Sequence, residues 1–143
     1  MALSPGKNAP LITDSFATTE LPPGETWQIF LRAEDPDGDM KRIVCTLEQP
    51  GSAPSVVFIR IRGDRRRLLS GYIHLSTISG SGNPFARCRL TVEIQDEEGN
   101  TGPSVSFPLS LNPRAARKIP PPGVFEEDDL GPIQALFPLP PAP

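Results

Sequence analysis

The strongest constraint on the fold is the spacing of apolar residues, which alternate with polar ones in short segments between Leu11 and Leu111. The longest segment runs from Ala86 to Gln95, and its apolar face consists of Cys88, Leu90, Val92 and Ile94. Successive side chains of a strand point to opposite faces, so this period of two predicts strands with one buried face. None of these segments sustains the 3.6-residue period of a helix. The sequence therefore predicts an all-β fold.

Seven such segments lie within about 100 residues, and residues that favour turns separate them. The strands are predicted at residues 12–18, 26–34, 42–48, 56–62, 69–75, 86–95 and 105–111. The turns place Gly next to Pro, Asp or Glu, as in Leu21 to Gly24, Asp35 to Asp39 and Asp96 to Asn100. This number and spacing of strands predict a seven-stranded immunoglobulin-like β-sandwich.

A change of composition near Asn112 divides the chain. Nine of the 19 prolines lie between Pro113 and Pro143, and proline removes a backbone donor that a sheet or a helix would use. We therefore expect a flexible N-terminus at residues 1–7, the β-sandwich at residues 8–112 and a disordered proline-rich tail at residues 113–143.

One part of the tail, residues 125–137, carries enough apolar residues to dock on the sandwich or on another protein. Its binding residues would be Phe125, Leu130, Ile133 and Phe137, which are spaced nearly as on a short amphipathic helix. A helix of this length is not stable alone and needs a surface to pack against. The alternative is a disordered linker with scattered apolar residues.

Charge and hydropathy exclude two classes of interaction. Fourteen Lys and Arg against 17 Asp and Glu give a net charge of -3, so no nucleic-acid partner is expected. The longest clear apolar run, Val56 to Ile59, is far shorter than the roughly 20 residues that span a bilayer, so no transmembrane segment is expected. The first seven residues lack the apolar core of a secretory signal.

Several phrases of the sequence resemble the recurring motifs of bacterial immunoglobulin-like and cadherin-like repeat domains. They are Asn8-Ala9-Pro10, Pro23-Gly24-Glu25, Ala33 to Asp39, Leu90 to Asp96 and Gly99-Asn100. The resemblance covers about residues 8–112 and implies the same sandwich. It also implies a spacer, an adhesion module or a substrate-binding accessory of a bacterial cell-surface protein. The location would be extracellular or periplasmic if an export signal has been removed, and cytoplasmic otherwise.

The acidic turns are the best candidate for a site, because in such a sandwich the turns after the second and sixth strands lie at the same end. The metal ligands would be Asp35, Asp37, Asp39, Asp96 and Asn100, with Glu97, Glu98 and Asn8 nearby. Calcium takes about six to eight oxygen ligands and would neutralise the clustered carboxylates. The alternative is that these are ordinary solvated turn residues. No other cofactor is expected.

A basic hairpin is the second candidate. Its predicted turn is Gly63-Asp64, and the arginines around it are Arg60, Arg62, Arg65 and Arg66. These side chains would contact an acidic protein or a surface glycan, in a salt-sensitive manner. The alternative is a solvated hairpin whose arginines protect a sheet edge.

The cysteines and the histidine do not predict catalysis. Cys45 and Cys88 both face inward and would allow one disulfide if their Cα atoms lay within about 7 Å, but otherwise they are buried thiols. His74 would face outward, away from both thiols. The sequence contains no nucleophile elbow, phosphate-binding loop or zinc motif. We therefore expect no enzyme.

Three functions fit these expectations. The first is a non-enzymatic binding or spacer module of a bacterial extracytoplasmic protein, which would work through its loops and a sheet edge, alone or beside other domains of a larger assembly. The second is an intracellular adaptor whose tail, residues 125–137, recruits a partner protein. The third is a calcium-stiffened linker domain.

Overall fold

The structure is a computed structural model that describes residues 9–79, 83–116 and 118–139. Within these ranges the chain forms nine strands and, at Gly63–Arg65, a single turn of 3-10 helix. The strands are β1 (Leu11–Ala17), β2 (Glu20–Leu21), β3 (Thr26–Glu34), β4 (Met40–Glu48), β5 (Ser55–Arg60), β6 (Leu68–Ser76), β7 (Arg87–Asp96), β8 (Val105–Leu111) and β9 (Asp129–Pro132).

The strands form two sheets that pack as a sandwich. One sheet has four strands in the order β1-β3-β6-β9, and the other has five in the order β2-β8-β7-β4-β5. Neighbouring strands are antiparallel except for two short pairs, β2 with β8 and β9 with β6. The predicted all-β fold is confirmed, and each of the seven predicted strands is present. Two strands, β2 and β9, were not predicted.

The core lies between the sheets and is built from the faces that the alternation predicts. On β3, Trp27, Ile29 and Leu31 are fully buried, and on β7 Leu90 and Val92 are fully buried. Burying one such side chain stabilises the fold by about 1.5–3 kcal/mol. The indole N–H group of Trp27 also has a hydrogen-bond partner, because Nε1 donates to the carbonyl oxygen of Thr18 at 2.9 Å.

The tail departs from its prediction. Instead of a disordered segment or a helix, residues 129–132 form β9, which lies parallel to β6. The amide of Tyr72 donates to the carbonyl oxygen of Asp128 at 2.9 Å, and that of Ile133 to the carbonyl oxygen of His74 at 2.7 Å. The edge of β6 would otherwise expose unpaired backbone groups, and β9 satisfies them.

Apolar tail residues also enter the core beyond the predicted end of the sandwich at Asn112. Ile133 and Phe137 are 4% and 0% exposed. Phe125 lies against Phe30, with their ring centroids 5.7 Å apart. Phe30 is on the face of β3 that the alternation assigns to solvent, yet it is buried. The two sheets therefore do not complete the core without the tail.

Across the described ranges, no helix is long and apolar enough to cross a membrane.

Candidate functional site

The turn between β3 and β4 forms the first half of an acidic apex. Asp35 begins it, and its Oδ1 accepts a hydrogen bond from the amide of Asp37 at 3.0 Å. The amide of Gly38 donates to the carbonyl oxygen of Asp35 at 3.0 Å. Gly38 has a φ of 67°, which favours glycine. This tight turn brings Asp39 back beside Asp35.

The turn between β7 and β8 forms the second half. Asp96 Oδ1 accepts hydrogen bonds from the amides of Glu98 at 3.0 Å and Asn100 at 2.8 Å. Its Oδ2 accepts a third bond from the side-chain amide of Asn100 at 3.3 Å. The amide of Glu97 donates to the carbonyl oxygen of Asp39 at 3.0 Å, which ties the two turns together.

Three carboxylates meet where the turns join. Asp35, Asp39 and Asp96 each place an oxygen within 4.8 Å of the other two. Asp35 and Asp96 are both 1% exposed. The Oδ2 atom of Asp35 and the Oδ1 atom of Asp39 are buried and have no hydrogen-bond partner within the described ranges. A buried carboxylate oxygen without a donor is unfavourable, since burial removes the water that would otherwise solvate it.

The surroundings of Asp35 disfavour its charged form. Burial is the largest cause, and the next is the adjacent Asp39 carboxylate, to which only the protonated Asp35 carboxyl can donate a hydrogen bond, so that the pKa of Asp35 rises to about 6. The negative charges of Asp39 and Asp37 act in the same direction, and the backbone hydrogen bond from Asp37 opposes them. A cation or a proton at this apex would relieve the repulsion.

The other residues predicted for the metal site lie outside this cluster of three. Asp37 is exposed and contributes its backbone amide to Asp35. Asn100 is half-buried, and its side chain donates to Asp96. Glu97 and Glu98 are exposed, and Asn8 lies outside the described residues.

The arginines of the basic hairpin pair with different acidic residues. Arg62 pairs with Asp64 at 3.2 Å, Arg65 with Asp128 at 2.7 Å and Arg66 with Glu97 at 2.5 Å. The Arg62 guanidinium lowers the pKa of Asp64 through a hydrogen bond. Arg65 is therefore engaged with the tail of its own chain. Arg60 stays exposed on β5.

The sequence pattern did not predict two basic residues that lie beside the hairpin. Lys41 and Arg42 lie on β4 and line the same groove as Arg60 and Arg62. They are about 20 residues away in sequence, so no local run of charge could connect them to the hairpin. The pairing of β4 with β5 places Arg42 directly opposite Arg60.

The tail residues predicted to bind a partner lie on this chain's own sandwich. Ile133 and Phe137 are buried in the core, and Leu130 and Phe125 are half-buried against it. The reason is that the sandwich has an open strand edge and apolar surface that these residues cover. Ile133 and Phe137 are consequently not available to a second protein in this conformation.

Neither cysteine is bridged or reactive. Both are free and buried, and burial raises the pKa of each thiol to about 12. Cys45 on β4 lies opposite Val92 of β7, four residues from Cys88. That offset corresponds to roughly 13 Å along a strand, well beyond the reach of a disulfide. The disulfide allowed by the sequence is therefore not formed.

The single histidine lies apart from both thiols. His74 is on the outer face of β6, where its Nε2 lies 3.1 Å from an Asp129 carboxylate oxygen. The cysteines are buried on β4 and β7 of the other sheet. No Cys-His pair is formed.

Comparison of the chain with protein-family models, with curated protein sequences and with solved structures found no match to any of them.

Proposed function

We propose that this chain is a non-enzymatic, immunoglobulin-like binding or spacer module whose acidic apex holds a divalent cation, with calcium as the best fit. The observation that carries the proposal is the pair of buried carboxylate oxygens on Asp35 and Asp39 that receive no hydrogen bond within the described ranges. With Asp96 they form a group of three acidic side chains around one point.

The donor set suits a hard cation. Carboxylate oxygens are ligands that calcium and magnesium prefer, whereas zinc sites usually contain Cys or His. Each of the three carboxylates offers one oxygen to a common centre, and calcium accepts irregular geometries in which carbonyl oxygens and waters complete about six to eight ligands. Magnesium demands a near-ideal octahedron and retains several waters, so it fits less well between two turns that are tied together.

A bound cation would also have a mechanical effect. The three carboxylates come from both sheets, since Asp35 follows β3 of the four-stranded sheet, whereas Asp39 precedes β4 and Asp96 ends β7 in the five-stranded sheet. Coordination by all three would add a second link between the sheets to the β3–β4 turn at this end of the sandwich. Such stiffening suits a module that transmits force or fixes a neighbouring domain, as the resemblance to bacterial immunoglobulin-like and cadherin-like repeats implies.

A shared proton is the competing explanation of the apex. The pKa of Asp35 is about 6, so near neutral pH this carboxyl is mostly ionised, and below pH 6 a proton would bridge Asp35 and Asp39. The two explanations differ at pH 7.5. If the apex binds a cation, calcium stabilises the fold at this pH. If it shares a proton, calcium has no effect on stability.

The test is thermal unfolding at pH 7.5 in millimolar calcium, in magnesium and in chelator. A ligand that binds only the folded chain stabilises it by about 2.7 kcal/mol at 100 times its Kd. For a domain of this size we expect the melting temperature to rise on the order of 10 °C in calcium, and less in magnesium.

Asp37→Asn is the matched control, because Asp37 is exposed in the same turn and outside the cluster. Calcium should still raise the melting temperature of Asp37→Asn and should have little effect on Asp35→Asn or Asp39→Asn. The proposed cation site would be ruled out if calcium raised the melting temperature equally in all three variants or did not raise it in the wild type.

The adaptor function has less support. It requires the tail to be available to another protein, and two of its four binding residues are in the core of this chain.

A further inference from the structure

A basic groove lies on the outer face of the five-stranded sheet where β4 and β5 meet the 3-10 turn. Its volume is about 580 Å³. Its charged lining consists of Lys41, Arg42, Arg60, Arg62, Arg66 and Glu97. The chain as a whole carries a net charge of -3, so this positive charge is a local feature and does not follow from composition.

Three of the five cations have no acidic partner among the residues that the structure describes. Arg62 and Arg66 are paired with Asp64 and Glu97. Arg42 donates from Nε to the neutral side chain of Gln95 at 2.7 Å. In the described part of the chain, neither Lys41 nor Arg60 forms an ion pair. The groove therefore holds positive charge that no described acidic side chain neutralises.

The arrangement of these cations is unfavourable without a ligand. Arg42 and Arg60 are direct cross-strand partners, and like charges in that position destabilise a sheet. Arg42 compensates in part by placing its guanidinium 4.1 Å from the centroid of the Phe58 ring. An anion between the two guanidinium groups would turn their repulsion into two attractive contacts.

The groove also presents an aromatic surface. Phe58 is 54% exposed on β5, the strand that also carries Arg60, and its ring lies next to the Arg42 guanidinium. A ligand that contacts both the guanidinium groups and the ring must carry negative groups and an apolar ring face of similar size. Sulfated sugars have this combination.

β9 does not cover this groove. A Cβ placed on Gly131 of β9 would lie 2.7 Å from the Ile59 Cγ2 atom, and Ile59 is buried on the inner face of β5. Phe58 and Arg60 lie on the opposite face of β5 and are exposed. A ligand can therefore reach the groove on the outer face.

We propose that the basic groove binds a sulfated oligosaccharide. Arg42, Arg60 and Lys41 bind its sulfate groups through charge-assisted hydrogen bonds, and a sugar ring lies against Phe58. Guanidinium groups present paired donors that match two oxygens of a sulfate. The binding does not depend on the cation proposed for the acidic apex.

The test is titration of the full chain with a heparin-type tetrasaccharide, measured by calorimetry and by amide chemical shifts in 0.15 M salt. We expect shifts at residues of β4 and β5 that line the groove, and affinity that falls as salt is raised. Arg60→Gln and Arg42→Gln should each weaken binding about tenfold, since each removes a charge-assisted contact.

Arg89→Gln is the matched control, because Arg89 is exposed on β7 of the same sheet and does not line the groove. It removes the same charge and should leave the affinity unchanged. Thermal unfolding of each variant separates loss of binding from loss of fold.

Three further ligands identify the chemistry. The desulfated tetrasaccharide should not bind, and a hexaglutamate peptide and a single-stranded oligothymidylate should bind at least tenfold more weakly than the sulfated sugar. The proposal is overturned if the sulfated sugar does not bind, if the peptide or the oligonucleotide binds as tightly, or if Arg89→Gln weakens binding as much as Arg60→Gln.

Discussion

Asp35 and Asp39 each bury one carboxylate oxygen that no donor in the described ranges reaches, although they are only four residues apart and share one turn. Asp96, which completes their cluster, differs because two backbone amides and the Asn100 side chain donate to it. The same apex thus contains one carboxylate whose two oxygens both accept hydrogen bonds and two that each keep a buried oxygen without a donor. This contrast distinguishes the apex from a pair of ordinary acidic turns.

The first prediction concerns pH. The pKa of Asp35 is raised from 3.8 to about 6, so the folded chain binds this proton more tightly than the unfolded chain. The contribution to stability is therefore complete below pH 3.8 and is lost as pH rises through about 6. In chelator, we expect Asp35 to make the folded chain more stable at pH 5 than at pH 7.5.

Other groups titrate in the same interval, so the measurement is the difference between the wild type and Asp35→Asn. Thermal unfolding from pH 4.5 to 8 should show a steeper gain toward acid in the wild type. Parallel curves for the two proteins would contradict the role of Asp35. In calcium the wild-type curve should become flatter, because calcium replaces the proton.

The second prediction concerns Trp27. Trp27→Phe removes a fully buried hydrogen bond to Thr18 and leaves part of the ring volume empty. We expect the free energy of unfolding to fall by about 2–4 kcal/mol. Urea unfolding measures it, and Phe85→Leu serves as the control because Phe85 is 62% exposed. The control should change the free energy by less than about 0.5 kcal/mol.

The third prediction concerns the tail as part of the core. Phe137 is fully buried and its neighbour Leu136 is 56% exposed. Phe137→Ala should therefore lower the free energy of unfolding by about 3–5 kcal/mol, whereas Leu136→Ala should lower it by less than about 0.5 kcal/mol. Equal and small effects of the two substitutions, measured by urea unfolding, would show that the tail does not stabilise the sandwich.

The fourth prediction concerns the attachment of β9. A Cβ added to Gly71 would collide with the carbonyl oxygen of Asp128 and contact Leu130. Gly71→Ala should therefore weaken the pairing of β9 with β6. Amide hydrogen exchange should become faster at Tyr72 and Ile133, whose amides donate across this pairing.

Gly63→Ala provides the comparison, because a Cβ at Gly63 meets nothing within 4 Å. It should leave the exchange of both amides unchanged. Unaltered exchange in Gly71→Ala would mean that β9 adjusts without loss of its hydrogen bonds.

The fifth prediction concerns the cysteines. Burial raises the pKa of both thiols to about 12, so almost no thiolate is present at pH 8. We expect a disulfide reagent to label Cys45 and Cys88 only as fast as the chain unfolds. Labelling should accelerate with urea, and reductant should not change the melting temperature. Rapid labelling of the native chain would contradict the burial of that cysteine.

Local pattern predicted much of this fold. The alternation along residues 26–34 and 86–95 identified β3, β7 and their buried faces, because the face of a strand residue depends only on its position in the strand. The turn from Asp35 to Asp39 was predicted for a similar reason, since glycine and aspartate favour such turns wherever they occur. These features depend on neighbours in sequence.

The tertiary structure decided what depends on distant residues. The register of β4 against β7 separates Cys45 from Cys88. The pairing of β4 with β5 brings Arg42 beside Arg60. Neither alignment is encoded in a single strand. Ile133 and Phe137 were predicted to bind a partner because the sequence of the tail identifies apolar side chains but does not identify the surface that they cover. By itself the sequence determined strands, faces and turns through local geometry. Only long-range packing decided that the tail completes the core and that Asp96 meets Asp35 and Asp39 in a buried place.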